Sequence, residues 1–169
     1  MKTLPRLAAT IVFITCCAST RAMDGFTAVE KPWETSNDPV AKMWQRWQTG
    51  QSQPDTQDEK AFVASVLKEL GVPAQSQMLV FSKTSLQNPL ITPQTPRAVY
   101  FSEDVYCGWA QNGMMELIGY DPEKGPQYYA LTNPFKTSEK PVLQATENCL
   151  PCHETSRTNN VNGMLGRSV

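Results

Sequence analysis

Residues 105–131 read VYCGWAQNGMMELIGYDPEKGPQYYAL. Within them Val105 to Trp109, Met115 to Tyr120 and Gln127 to Leu131 are short runs rich in β-branched and aromatic residues, separated by turn-forming Asn, Gly, Asp and Pro. Branched and ring side chains pack well on a pleated surface, whereas Gly, Pro, Asn and Asp suit the bends between strands. MELIGY and QYYAL, joined by the six residues from Asp121 to Pro126, form the clearest hairpin. Upstream, Ala98 to Phe101 and Met78 to Phe81 have the same character, and the five runs together predict an antiparallel sheet.

Further toward the N-terminus the period changes. Asp38-Pro39 has the form of an N-cap followed by proline in the first turn, with Val40, Met43, Trp44 and Trp47 at helical spacing and Gly50 as the stop. After a polar linker over 51–55, Thr56 and Glu59 are spaced as a capping box. They lead a helix whose face carries Phe62, Val63, Val66, Leu67 and Leu70 and which stops at Gly71. From Thr132 to Asn148 the chain reads as polar and irregular. The expected fold class is therefore α+β: two N-terminal helices, an antiparallel sheet and a C-terminal segment. No Gly-rich phosphate loop, internal repeat or low-complexity tract interrupts this order.

The first 22 residues, MKTLPRLAATIVFITCCASTRA, stand apart. Lys2 and Arg6 precede an apolar stretch from Leu7 to Ala18, and small residues close the segment, which is the layout of a secretory signal peptide. That stretch is well short of the roughly 20 residues a membrane-spanning helix needs. The residues before Cys16 and Cys17 match a lipoprotein cleavage site poorly. The expected domains are a signal peptide over 1–22, an extended arm over 23–37 and a single domain over 38–169. Periplasmic localisation is expected, with no membrane association after cleavage and lipid anchoring as the minor alternative.

The 169-residue chain carries 15 Lys+Arg against 16 Asp+Glu, so no basic excess points to nucleic acid. With 18% charged and 40% hydrophobic residues, it is not collagen-like, coiled-coil or disordered. Cleavage after Ala22 leaves 147 of the 169 residues and removes three basic residues and no acids, which makes the remaining domain mildly acidic. Of the five cysteines, Cys107, Cys149 and Cys152 remain, an odd number for a disulfide framework.

Cys149-Leu150-Pro151-Cys152-His153 is C-x-x-C-H, the attachment pattern of c-type haem. Two thiols separated by two residues can add to the two vinyl groups on one side of a porphyrin. The histidine that follows supplies the proximal nitrogen to iron. From the chain's own composition a chance match is on the order of one in a thousand, and the single histidine of the chain stands where the pattern requires it. One covalently attached haem c, held by Cys149, Cys152 and His153, is the expected cofactor. Three other readings use the same residues. A zinc site from Cys107, Cys149, Cys152 and His153 has suitable ligand types, but adjacent Cys152 and His153 do not readily face one ion. A thioredoxin-like C-x-x-C belongs early in a βαβ pattern, which is missing here. A structural Cys149–Cys152 disulfide is the third.

The motif resembles that of c-type cytochromes. Its place after a run of strands is similar to the β-sheet class of cytochromes c-prime and their hydroxylamine-oxidising relatives, in which an antiparallel sheet precedes a C-terminal C-x-x-C-H. In those oxidising relatives a strand lysine is crosslinked to the haem, and the resemblance implies Lys83 as the position to test. Residues 70–87 and 96–109, continuing to CLPCH and to GMLGRSV at 163–169, also resemble secreted bacterial proteins with a haem-binding motif and no assigned activity. In such relatives the chain continues past the position of Val169.

The sixth iron position separates two functions. A methionine opposite His153 suits one-electron transfer to a redox partner protein, whereas an open position suits binding of nitric oxide or oxidation of a small nitrogen species such as hydroxylamine. Met164 is the candidate ligand, since the eleven residues from His153 can span up to about 36 Å when extended; Met78, Met114 and Met115 are alternatives. The expected function is that of a periplasmic monohaem c-type cytochrome, an electron-transfer protein rather than an enzyme. Tyr100, Phe101, Tyr106 and Trp109 are candidates for a haem wall or for sheet core, and Cys107 reads as a buried small hydrophobe. Glu103, Asp104, Glu116 and Asp121 read as solvated carboxylates, with no pairing that suggests acid–base catalysis.

Overall fold

The computed structural model describes residues 34–163 except Ser82 and Ser138. The signal-peptide reading of 1–22, the arm up to residue 33 and Met164 lie outside the described residues. The chain builds helix α1 (Pro39–Gln48), helix α2 (Glu59–Glu69) and six strands: β1 (Met78–Val80), β2 (Arg97–Phe101), β3 (Val105–Trp109), β4 (Met115–Asp121), β5 (Gly125–Leu131) and β6 (Leu143–Ala145). The strands lie side by side in chain order and every neighbouring pair is antiparallel. The architecture is α+β.

Short connections fix this meander. Asp121 pairs with Gly125 across a three-residue loop, and Gly125 takes φ +74°, the left-handed position that a three-residue hairpin needs. The Asp121 carboxylate accepts the N–H groups of Glu123 and Lys124 at 2.8 and 3.0 Å, which holds the loop from within. Strand β6 falls in the stretch expected to be irregular. It has three residues, pairing Leu143 with Leu131 and Ala145 with Tyr129, and is too short for its alternation to stand out from the polar sequence around it.

Alternation gives the sheet two faces. Cys107, Leu117, Tyr129 and Ala145 lie in register on one face and are packed under α1 and α2. From the helices come Val40, Met43, Phe62 and Val66, each essentially buried. Fully burying such side chains contributes roughly 1.5–3 kcal/mol each.

The α1 cap is Asp38, whose Oδ1 accepts from Val40 N at 2.7 Å and Ala41 N at 3.1 Å. At α2 the cap is Asp58, which accepts from Ala61 N at 2.8 Å, and not Thr56 as the capping-box spacing suggested. Glu59 is freed from capping. Its Oε1 accepts from Trp109 Nε1, Asn112 N and Asn133 Nδ2, tying α2 to the ends of β3 and β5.

Asp121 is buried, which corrects its reading as solvated. Its Oδ2 accepts from Asn37 N at 2.6 Å and Ser36 Oγ at 2.8 Å, so residues 36 and 37 are fastened to the hairpin. Those backbone donors, Asn37 first and then Lys124, hold the Asp121 carboxyl well below the usual carboxylate range. Because the folded pKa lies below the unfolded value of about 3.9, this stabilisation is present above that value and is lost as pH falls through the folded one. Asp121→Asn is therefore expected to lower the urea midpoint at pH 7 and to converge on the wild type as pH falls toward 2. An equal gap at both pH values would count against this assignment.

Candidate functional site

The C-x-x-C-H residues sit on two consecutive turns. Thr146 caps a 3-10 turn, Glu147–Cys149, by accepting from Asn148 N at 3.1 Å, and a single helical turn, Leu150–His153, follows directly. Pro151 stands near the start of that turn, where its missing N–H costs no helical bond. The Glu154 N–H donates to Leu150 O at 2.7 Å and closes it.

The chain then folds back on itself. Thr155 and Thr158 form a reciprocal capping box, and Asn159 and Asn160 both adopt left-handed φ near +55°, a conformation asparagine tolerates better than most residues. The reversal returns Gly163 to His153. Gly163 N donates to the His153 carbonyl at 3.2 Å, and the Gly163 carbonyl lies 2.9 Å from His153 Nδ1. A carbonyl can only accept, so Nδ1 carries a proton, and in the neutral ring this leaves the lone pair on Nε2.

This turn rests on the sheet face opposite the helices. Phe101, Tyr106, Ile118 and Tyr128 form a row across β2 to β5 on that face. The Tyr128 ring centroid is 5.0 Å from that of His153, and Phe101 stacks on Tyr106 at 6.0 Å. The four candidate wall aromatics therefore divide. Phe101 and Tyr106 share the face of His153, whereas Tyr100 and Trp109 belong to the helix side.

Cys149 is half-buried and Cys152 exposed, and both are free thiols. Burial pushes the Cys149 thiol up to about 12, helped by the charge of Glu116 and opposed by Arg97. Glu116 is thus not a solvated carboxylate. It pairs closely with Arg97 and accepts from Ser85 Oγ at 2.8 Å. Arg97 lies over Gly108, where an added Cβ would stand 2.6 Å from its Cζ. Among the described residues the Arg97 Nε is buried without a partner. Lys83 is exposed beyond the end of β1, two residues before Ser85. Glu103 and Asp104 are exposed, as expected.

Cys107 is fully buried on the helix side, where burial raises its thiol to about 12. The sheet separates it from Cys149, and among the described residues no three His, Cys, Asp or Glu side chains converge as a metal-holding group. The four-ligand zinc reading has no geometric support. Met115 is buried in the helix-side core, which removes it as a partner for His153. Met78 lies on β1, four strands from Tyr128 and roughly 19 Å across the sheet. Met114 is pinned through its backbone N–H and carbonyl by Gln87.

Two open hollows adjoin the sheet. One of about 460 Å³ lies between α2 and the helix side of β2 and β3, away from the motif. The other, about 490 Å³, is lined by Glu103, Asp104, Tyr120 and Pro126 together with Asn162 and Gly163, and so borders the loop that holds His153. Among the described residues no helix is long and apolar enough to cross a membrane. No protein-family model, curated protein or solved structure matches this chain.

The donor set fits haem c. Two free thiols at the right spacing flank one turn, and the imidazole directly after the second has its Nδ1 engaged by a backbone carbonyl, the arrangement in which metal-binding histidines offer Nε2.

Proposed function

We propose that this chain is an exported monohaem c-type cytochrome that carries one electron at a time. The observation that supports this most is the Nδ1–H bond of His153 to the Gly163 carbonyl, which leaves Nε2 as a ready ligand beside two free thiols. Cys149 and Cys152 would each add S–H across a vinyl group, a step that needs protonated or protonatable thiols and no net oxidation. Bound haem supplies a one-electron iron couple whose potential follows its axial ligands and surroundings. The chain's part is to anchor the group at Cys149 and Cys152, orient the imidazole, and offer the apolar row of Tyr106, Ile118 and Tyr128 alongside.

A second reading has its own support. With Met115 in the opposite core and Met78 at the far edge of the sheet, the sixth iron position would be left to Met114, to Met164 or to a small ligand such as nitric oxide. Expression in a host with export and haem-maturation machinery tests both. The expected result is a chain heavier by one haem, a pyridine haemochrome spectrum of the c type and reversible one-electron redox. Loss of the leader from the mass would support the proposed signal peptide and periplasmic site. Rapid carbon monoxide binding to the reduced protein would select the five-coordinate reading, and a chain that gains no haem mass would overturn both.

A further inference from the structure

We infer that Tyr128, acting with Asn162, is a positioning residue that fixes the tautomer and ring orientation of His153 for axial ligation. This rests on the reading of His153 as an iron ligand. Tyr128 is buried on β5, with its ring 5.0 Å from the imidazole at 47°. Its hydroxyl donates to Asn162 Oδ1 at 2.6 Å and lies 3.1 Å from the Gly163 carbonyl. Asn162 in turn donates from Nδ2 to Pro126 O at 3.3 Å, two residues before Tyr128 on the same strand. Strand β5 thereby grips residue 162 at two points, and residue 163 is the one whose carbonyl receives His153 Nδ1.

The physical consequence runs through one proton. The Tyr128 hydroxyl has a single hydrogen and Asn162 Oδ1 is its nearer acceptor, while the Gly163 carbonyl, with two lone pairs, accepts from the imidazole in either case. If the loop over 159–163 is released from β5, that carbonyl is no longer held in place. The imidazole can then rotate or exchange its Nδ1–H for the Nε2–H form that histidine prefers in water. A weaker Nδ1–H bond also makes the imidazole a poorer donor to ferric iron.

The chain has one histidine, so ring nitrogen spectra of the full chain before haem loading need no assignment. The wild type is expected to show the Nδ1–H tautomer. In Tyr128→Phe, which keeps the ring and removes the hydroxyl, the ratio of Nδ1–H to Nε2–H should fall by roughly tenfold, taking as the scale the smaller losses of metal affinity seen when an outer partner is removed. Asn162→Ala should act in the same direction and serves if Tyr128→Phe fails to fold. In the haem-loaded protein, Tyr128→Phe should lower the oxidised-to-reduced ratio at a fixed ambient potential by roughly threefold. Tyr129→Phe removes a buried hydroxyl on the opposite face and should leave both readouts unchanged while lowering stability. A wild type in the Nε2–H form, or hydroxyl-loss variants that retain the wild-type tautomer, would overturn the inference. A chain that takes up no haem defeats the cytochrome reading, while the tautomer ratio still judges the clamp.

Discussion

A chain carrying alanine at both Cys149 and Cys152 is expected to leave a haem-maturing host with no covalently bound haem. Each single substitution should retain one thioether. Its reduced absorption should lie to the red of the wild type, because one vinyl group stays conjugated with the ring. His153→Ala should keep both links but lose the axial nitrogen, and added imidazole should restore the wild-type spectrum in part. Cys107→Ala is the discriminating control. Its thiol is buried on the helix side of the sheet, so its loss should leave haem content unchanged, whereas a zinc site that used it would lose metal. If the double variant and the wild type carry the same haem, or neither carries any, the assignment of Cys149 and Cys152 as anchors fails. Metal analysis alongside the spectra separates the zinc reading from the disulfide reading, since only the former retains a metal in haem-free protein.

Local chemistry was legible and long-range closure was not. Asp38-Pro39 and Gly50 mark α1 because a cap, a proline and a stop act within one or two turns of where they stand. The runs of β2 to β5 were readable because five to seven residues are enough for alternation to show, whereas the three residues of β6 are not. Glu116 and Asp121 were misread for a common reason. Burial came from segments distant in the chain: Ser85 and Arg97 enclose Glu116, and Ser36 and Asn37 cover Asp121. The same limit applies at the site. The spacing of Cys149, Cys152 and His153 is visible in five letters, but the return of Gly163 to His153 depends on two left-handed asparagines and on a strand tyrosine 25 positions upstream of the histidine. The pair Asn159-Asn160 was the one local signal for that reversal, since adjacent asparagines tolerate the positive φ a tight turn demands.

Asp38→Ala is expected to be among the most destabilising single changes in the domain. Asp38 is fully buried, and four donors meet its carboxylate: Val40 N and Ala41 N at Oδ1, and Tyr129 Oη at 2.5 Å and Ser36 Oγ at 2.8 Å at Oδ2. Removal costs about 1 kcal/mol for the lost cap and about 1–3 kcal/mol for leaving the Tyr129 hydroxyl unsatisfied inside the core. A total near 3 kcal/mol is a large share of the roughly 5–15 kcal/mol that holds a typical domain together. Asp38→Asn should cost less, because the amide oxygen can still cap α1 and the amide N–H can donate to the tyrosine oxygen. The strand below leaves no room for rearrangement: a Cβ at Gly119 would stand 2.8 Å from Asp38 Cγ, so the carboxylate lies directly on the β4 backbone. Ser36 adds a link, because its one hydroxyl proton is shared between Asp38 and Asp121, each 2.8 Å away. Loss of Asp38 therefore loosens the start of α1, the β4–β5 hairpin and the core hydroxyl of β5 together. Urea unfolding followed by tryptophan fluorescence measures the effect, with Tyr129→Phe as partner in a double-mutant cycle. The two single costs should sum to clearly more than the cost of the double variant. Simple additivity would show that Tyr129 and Asp38 do not depend on one another.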